Sequence, residues 1–170
     1  MYTLATDIKS PINMPPFRQS AMDGYALNLH DSNAYNLIGE VKAGDHHQPH
    51  LKVGEAIRIF TGAPIPNGAN TVVMQEECTL SEDKSQITVK RAIDLNENIR
   101  PTGNDILKDN VILSSGRQIK PQDISLAASV GVGELVVFKK IKVGVFFTGD
   151  ELVEPGNPLT PGKIYNSNRY

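Results

Sequence analysis

A series of short apolar segments, separated by turn residues, occupies the chain between residues 27 and 103. The clearest of them are YNLIGEVKAG, EAIRIFTG, TVVMQEE and QITVKRAI. Each has the length of one β-strand, and polar or glycine-containing turns lie between them. Valine, isoleucine, tyrosine and phenylalanine are enriched in strands because they pack well on a pleated surface. The pattern predicts a compact β-rich domain over residues 27–103.

The segment EAIRIFTG shows what alternation predicts inside one such strand. Successive side chains of a strand point to opposite faces of the sheet. Ile57 and Ile59 are therefore expected on one face, and Ala56, Arg58 and Phe60 on the other.

The character of the sequence changes after residue 103. The segment VILSSGRQI (111–119) predicts a β-hairpin whose turn is Ser114–Gly116, and ELVVFKK (134–140) predicts a further strand. Residues 104–140 are therefore expected to form a small linker-domain segment with a hairpin and a helix.

The segment PQDISLAASVG predicts that short helix. Pro121 suits the first turn, where a backbone N–H is not needed, and Gly131 suits the helix end. Asp123 complements the positive N-terminal end of the helix dipole. The apolar stripe is expected to consist of Ile124, Ala127 and Ala128.

A nearly continuous apolar run, Val143–Phe147, precedes Asp150 and Glu151. A continuously apolar strand is typical of a parallel sheet that is buried on both faces. Ligands of such sheets bind beyond the carboxyl ends of the strands. We expect residues 141–170 to be the start of a truncated α/β domain. Together, the β-rich domain, the segment with a short helix and this first strand predict the fold class mixed α+β.

Composition excludes several classes of function. The formal net charge is −2, and no run of Lys or Arg is longer than a pair, which argues against nucleic-acid partners and membrane surfaces. The N-terminus MYTLATDIKS lacks the apolar core of a signal peptide. Cys78 is the one cysteine, so an intramolecular disulfide is excluded and Cys78 is expected in the core. These features favour the cytoplasm.

The first candidate site is in SAMDGYAL, which follows the double proline Pro15–Pro16. Asp23–Gly24 is a common turn pair, in which the carboxylate bonds its own backbone. The alternative is a functional carboxylate on a stiff loop, with Gly24 allowing a ligand to approach the backbone.

The second candidate is FTGAPIPNGAN, which begins at Phe60. It is either an ordinary long turn or a rigid loop whose backbone N–H groups and Thr61 hydroxyl face an oxyanion. Two prolines and several small residues would fix such a surface at low entropic cost.

Two further segments carry paired charged groups. In RPTGNDI, either Arg100 contacts phosphate, with Asp105 orienting the Arg100 side chain or capping the following turn, or the two residues form a structural pair. In FTGDEL, Asp150 and Glu151 either hold a cation beyond a strand or lie in a solvated turn. The run DHHQPH offers His46, His47 and His50 (with Asp45), but its spacing fits no strong zinc pattern.

Four segments occur together and in order: SAMDGYAL, IRIFTGAPIPNGANTVVMQEE, NIRPTGNDI and VGVFFTGDEL. The chain resembles, from about Ser10 to Tyr170, the molybdopterin molybdenumtransferases, the MoeA and gephyrin E-domain family. The resemblance implies that residues 1–26 form a linker segment with an active-site loop, and that the truncated domain after residue 140 is of the molybdopterin-binding (MogA-like) type.

The resemblance also implies roles for individual residues. Asp23, Thr61 and Glu151 correspond to catalytic residues of the family, and Glu151 is expected to hold Mg²⁺. Substrate-binding positions are expected at Ser20, Gly62, Asp105 and Asp150.

The chemistry that the family carries out is insertion of molybdate into adenylylated molybdopterin, with Mg²⁺ and release of AMP. The resemblance implies a homodimer and a molybdopterin adenylyltransferase as a candidate partner. Asn104 and Pro101 depart from the family pattern, which commonly has Glu and Arg there.

Two alternatives to an active enzyme are possible. Because the chain resembles a truncated form, the first is a catalytically inactive binding or dimerisation module. The second is a free-standing metal-binding β-domain that uses His46, His47 and His50.

Overall fold

A computed structural model describes residues 2–45 and 49–169 of the 170-residue chain. The strands in the described part are β1 (Ile8–Lys9), β2 (Gln19–Ser20), β3 (Gly24–Leu27), β4 (Ala34–Val41), β5 (Glu55–Ile59), β6 (Thr71–Met74), β7 (Cys78–Leu80), β8 (Gln86–Val89), β9 (Ile99–Arg100), β10 (Val111–Leu113), β11 (Leu152–Val153) and β12 (Ile164–Tyr165). The α-helix α1 spans Pro121–Ser129, and 3₁₀ turns span Gln75–Glu77 and Ser167–Arg169. Within the described ranges, no helix has the length and apolar character needed to cross a membrane.

The chain divides into two compact units, Met1–Phe138 and Lys139–Tyr170. The first unit is mostly β-structure with one helix, which confirms the β-rich character and the short helix that the sequence predicts. The domain boundaries predicted from the sequence, at 1–26, 27–103, 104–140 and 141–170, stay predictions.

A six-stranded sheet in the order β6-β3-β5-β4-β8-β7 forms the body of the first unit. Its neighbouring strands are antiparallel except for β4 and β5, which are parallel. All residues of β3 are buried, because β3 lies between β5 and β6 and has a core cluster on each face. The sheet therefore fixes the position of the residues that immediately precede β3.

Strand β5 follows the predicted alternation. Ile57 and Ile59 belong to one core cluster, and Ala56 belongs to the cluster on the other face. The guanidinium carbon of Arg58 lies 5.1 Å from the ring centroid of Phe60, on the same face. The two faces of β5 are those predicted from the sequence.

A second, smaller core packs against one side of α1. Leu4, Leu113 and Ala127 form its buried centre. The hairpin predicted at 111–119, next to this core, is wrong. Strand β10 pairs with β1, and Gln118 pairs with Thr3, so both arms of the turn after β10 bond to the N-terminal segment. The predicted turn at Ser114–Gly116 is present, but the segments on either side of it pair with the N-terminal residues and not with each other. Local sequence does not reveal a pairing partner that is so distant along the chain.

The predicted strand ELVVFKK is also wrong. Only Val137 makes a bridge, with Leu4, although the Ala5 amide donates to the Val136 carbonyl at 2.8 Å. The segment is extended along the N-terminal residues, but it does not form a strand.

Helix α1 confirms the predicted start at Pro121, and Gly131 follows its end with φ of +85°. The predicted apolar stripe is wrong at Ile124, which is 57% exposed, and at Ala128, which is also exposed; Ala127 is buried as predicted. Asp123 is buried instead, because its carboxylate accepts a hydrogen bond from the Lys120 amide at 2.9 Å and contacts Arg117. The Lys120 amide and the Arg117 guanidinium satisfy the Asp123 carboxylate, so this side chain can be buried.

In the second unit, strands β11 and β12 form a two-stranded parallel sheet. The strand expected at Val143–Phe147 is wrong: residues 141–149 are not in a strand, and Val143 and Phe146 are 78% and 91% exposed. A strand buried on both faces requires hydrogen-bonded neighbours and covering layers. None of the described residues of this unit pairs with the run.

Arg91 joins the 3₁₀ turn between β6 and β7 to the segment between β8 and β9. Its Nε and Nη2 donate to the two carboxylate oxygens of Glu77 at 2.7 Å each, and Nη1 donates to Glu97 at 3.1 Å. Hydrogen bonds from Arg91 lower the pKa values of both Glu77 and Glu97. Breaking this network would leave two carboxylates facing each other.

We therefore expect Arg91→Met to lower the free energy of unfolding at pH 7, and the Lys52→Met control, at an exposed side chain, to leave it unchanged. A carboxylate with a lowered folded-state pKa contributes stability that is complete above its unfolded pKa, about 4.3 for Glu. That contribution is lost as the pH falls through the folded value. Urea denaturation should show the gap between wild type and Arg91→Met narrowing below about pH 4. A gap that is constant from pH 7 to pH 3 would contradict this assignment.

Candidate active site

Three of the four predicted site segments lie side by side in the first unit. Residues 14–22 run between the 60–65 loop and residues 98–106. The Ser20 amide donates to the Ala63 carbonyl at 3.0 Å, and β2 pairs antiparallel with β9. The structure thus brings together segments that are separated by about forty residues along the chain.

Asp23 and Thr61 are joined directly at this junction. Asp23 Oδ1 accepts hydrogen bonds from the Thr61 amide at 2.7 Å and from the Thr61 hydroxyl at 2.9 Å. These two bonds, with a smaller contribution from the charge of Arg58, lower the pKa of Asp23. The exposed Asp23 carboxylate is therefore ionised at neutral pH.

The loop after Thr61 does not present N–H donors to an oxyanion, so that expectation is corrected. The amides of Thr61, Gly62, Ala63 and Ile65 donate to Asp23 Oδ1 and to the carbonyls of Ser20, Phe60 and Arg18, respectively. The remaining two residues of the 61–66 loop are prolines, which have no N–H. Every backbone donor of this loop is used to hold the chain in place.

Ser20 and Gly24 also serve the local backbone. The buried Ser20 hydroxyl donates to the Met22 carbonyl at 2.6 Å. A Cβ atom at Gly24 would lie 1.9 Å from the Val73 carbonyl oxygen on β6. The close approach that glycine permits is therefore to a neighbouring strand, and not to a ligand as the sequence suggested.

Asp105 lies in the third segment and is exposed. Its amide donates to the Met14 carbonyl at 2.9 Å, and its carboxylate accepts from Asn104 at 2.9 Å. Arg100 lies opposite Gln19 in the β2–β9 pair. No ion pair joins Arg100 to Asp105 among the described residues, so the predicted structural pairing of the two is wrong.

Asp150 and Glu151 belong to the second unit and are exposed in the turn before β11. The Glu151 carbonyl accepts a hydrogen bond from the Ile164 amide at 2.8 Å, and the Asp150 carbonyl accepts one from Lys163. Their backbones are anchored to the segment that leads into β12, while both carboxylates stay exposed. Both carboxylates are therefore accessible to solvent.

Arg58 is a residue near Asp23 that the sequence-based site assignment missed. Its Nη1 donates to the Gly24 carbonyl at 3.2 Å, and its guanidinium also contacts Tyr25 and Phe60. The available signal was its position on the same strand face as Phe60, one residue before Ile59 and three before Thr61. A charged residue on a strand face that is otherwise apolar needs an explanation.

The metal-binding alternative gains no support from the described residues. His46 and His47 lie outside them, and His50 is exposed. No group of three or more His, Cys, Asp or Glu side chains in the described ranges could hold a metal ion. Cys78 is buried, and burial raises its pKa to about 11, as expected for a core residue.

The Thr61 hydroxyl can be tested separately from the Thr61 amide. We expect Thr61→Val to raise the pKa of Asp23 toward the ordinary value of about 3.9, because one of two hydrogen bonds to the carboxylate is lost. Thr61→Ser, the matched control, should keep the wild-type value. The side-chain carboxyl ¹³C shift of Asp23 against pH measures both, and an unchanged pKa in Thr61→Val would mean that the hydroxyl does not contact the carboxylate in solution.

Comparison with known proteins identifies the family. Residues 1–131 match the family described as MoeA N-terminal region, domains I and II. The molybdopterin molybdenumtransferase of Haemophilus influenzae is 46% identical over an alignment of 169 positions, which covers 98% of this chain and 42% of that protein. The corresponding protein of Bacillus subtilis is 37% identical over an alignment of 175 positions, which covers 97% of this chain and 41% of that protein.

A solved structure agrees with these matches. The molybdopterin biosynthesis MoeA protein of Pyrococcus horikoshii superposes with a TM-score of 0.86 at 34% identity, over 98% of this chain and 46% of that one. The chain spans less than half the length of each of these three relatives. By the match of residues 1–131 to domains I and II, the chain belongs to the MoeA family.

Proposed function

We propose that the protein carrying this chain acts in molybdenum cofactor biosynthesis, where it inserts molybdate into adenylylated molybdopterin and releases AMP. The observation that carries the proposal is the ionised Asp23 carboxylate, held by Thr61 where three loop segments meet. Relatives named molybdopterin molybdenumtransferase support the choice of reaction.

Asp23 is suited to orienting a hydrogen-bond donor during this reaction. Oδ1 accepts both bonds from Thr61, and the exposed carboxylate retains Oδ2 to accept another. Molybdate is an anion and would be repelled by an ionised carboxylate at contact distance. We therefore assign Asp23 to a water that attacks the phosphoanhydride, whose P–O bond breaks as AMP is released, or to an N–H or O–H group of the pterin substrate.

Mg²⁺ fits the exposed carboxylates only as a partly hydrated ion. Mg²⁺ is commonly held by one or two carboxylates together with waters and substrate phosphates, which does not require a complete protein cage. Glu151 would hold it, with Asp150 next to it in the same turn. Bound there, Mg²⁺ would neutralise negative charge on phosphate oxygens.

The same proposal includes the assembly and location of the protein. We propose a cytoplasmic homodimer that receives its substrate from a molybdopterin adenylyltransferase. Ser20, Gly62 and Asp105 are proposed to shape the substrate side of the Asp23 site, Ser20 and Gly62 through the backbone bond between them.

Complementation tests the proposal in cells. A bacterial strain that lacks its own molybdenumtransferase is given the gene for the protein carrying this chain, and mature molybdenum cofactor is measured. We expect restored cofactor in the wild type and none in Asp23→Ala. Failure to restore it, together with binding of adenylylated molybdopterin by the purified protein, would support the inactive binding module instead.

A further inference from the structure

Arg58 contacts the polypeptide on the carboxyl-terminal side of Asp23. Its Nη1 donates to the Gly24 carbonyl at 3.2 Å, and its Nη2 donates to the Gln75 side chain. The backbone N–H of Gln75 donates to the Asp23 carbonyl at 3.2 Å. The carbonyls of Asp23 and Gly24 are thus both connected to Arg58, one through Gln75 and one directly.

Two aromatic rings fix the Arg58 guanidinium. Its central carbon lies 5.1 Å from the ring centroids of both Tyr25 and Phe60. Tyr25 is buried, so this packing is set by the sheet and not by a mobile side chain. A planar guanidinium can stack on aromatic rings while its N–H groups donate in its own plane, which a lysine ammonium cannot do.

Residues in and just after β5 therefore hold both the side chain and the backbone of Asp23. Thr61, just beyond β5, holds the carboxylate, and Arg58, within β5, holds the backbone. We propose that Arg58 is the positioning residue of the Asp23 site, fixing the Asp23 backbone through Gly24 and Gln75 so that the free carboxylate oxygen keeps one direction.

Charges around this arrangement are few and identifiable. Arg58 is the charged group whose field contributes to the lowered pKa of Asp23. Glu76 accepts a hydrogen bond from the Gln75 side chain at 3.1 Å, and Glu40 and Lys84 line a depression of about 470 Å³ together with Arg58. Lys84 thus offers a positive charge on the same surface as Arg58.

The inference rests on the proposed function for its kinetic part and on geometry alone for its structural part. We expect Arg58→Met to lower kcat for molybdate insertion by about 10- to 100-fold with little change in KM, since misplacement of a reacting group affects turnover. The pKa of Asp23 should rise at the same time. Arg58→Lys should retain the charge effect on that pKa but not restore kcat.

The control and the contrary results are distinct. Lys84→Met removes one positive charge from the same surface and should keep both kcat and the pKa of Asp23. Wild-type kcat in folded Arg58→Met would overturn the proposal. If the wild-type protein shows no turnover, the function proposed above has failed, and amide hydrogen exchange of Gln75, whose backbone N–H donates to the Asp23 carbonyl, still decides the positioning role. That exchange should be faster in Arg58→Met and Arg58→Lys than in the wild type, and an unchanged rate in both variants would overturn the positioning role.

Discussion

Asp23→Ala is expected to lower the rate of molybdate insertion by at least about 100-fold, the usual effect of losing a group that directs proton transfer. The exposed Asp23 side chain buries no apolar surface, so the variant should remain folded. Its loss removes the acceptor for both Thr61 donors and the carboxylate that we assign to a water or substrate donor. Single-turnover kinetics on the protein carrying this chain measures the effect.

Asp23→Asn separates charge from geometry in the same experiment. The amide oxygen of asparagine can accept the two Thr61 hydrogen bonds, so the loop should keep its shape while the charge is lost. We expect a loss close to that of Asp23→Ala. Asp31→Ala, at an exposed carboxylate in another loop, should retain the wild-type rate. Turnover at the wild-type rate in Asp23→Asn would refute the role of the charge.

Gly24→Ala is expected to destabilise the fold strongly although it adds only one methyl group. The added Cβ would lie 1.9 Å from the Val73 carbonyl oxygen and 3.1 Å from the Met74 Cα. Both atoms belong to the backbone of β6, so relief requires β3 and β6 to separate. We expect a loss of at least about 3 kcal/mol in the free energy of unfolding, the upper end for overpacked cores.

Gly133→Ala is the matched control for that experiment. No heavy atom lies within 4 Å of a Cβ built at Gly133. Urea denaturation should therefore show a change within about 0.5 kcal/mol. If Gly24→Ala were as stable as Gly133→Ala, strands β3 and β6 could not be paired as described.

Local sequence predicted the features of this fold that depend on neighbouring residues. The alternation of β5 and the start of α1 at Pro121 need only a period and a helix signal. The partner of β10 could not be predicted in this way, because β1 is about one hundred residues away. The exposure of the apolar run Val143–Phe147 could not be predicted either. Its apolar residues indicate that the segment should be buried, but they do not identify the part of the protein that would cover it.

The candidate site shows the same division. Asp23 and Thr61 were singled out from turn chemistry and family resemblance, and the structure joins them. Their sequences did not reveal that the donors of the 61–65 loop are all used internally, because the acceptors lie on other segments. Arg58 was missed for the same reason, since its partners Gly24 and Gln75 are on β3 and just after β6.

Molybdate-dependent release of AMP from adenylylated molybdopterin, by the purified protein that carries this chain, tests the central claim most directly. Wild type and Asp23→Asn are compared, with Mg²⁺ present and with molybdate either added or omitted. We predict that molybdate stimulates AMP release in the wild type, with molybdenum recovered in the cofactor, and that Asp23→Asn loses both. AMP release at equal rates in the two proteins, or no molybdenum in the product, would contradict the proposed function of the Asp23 site.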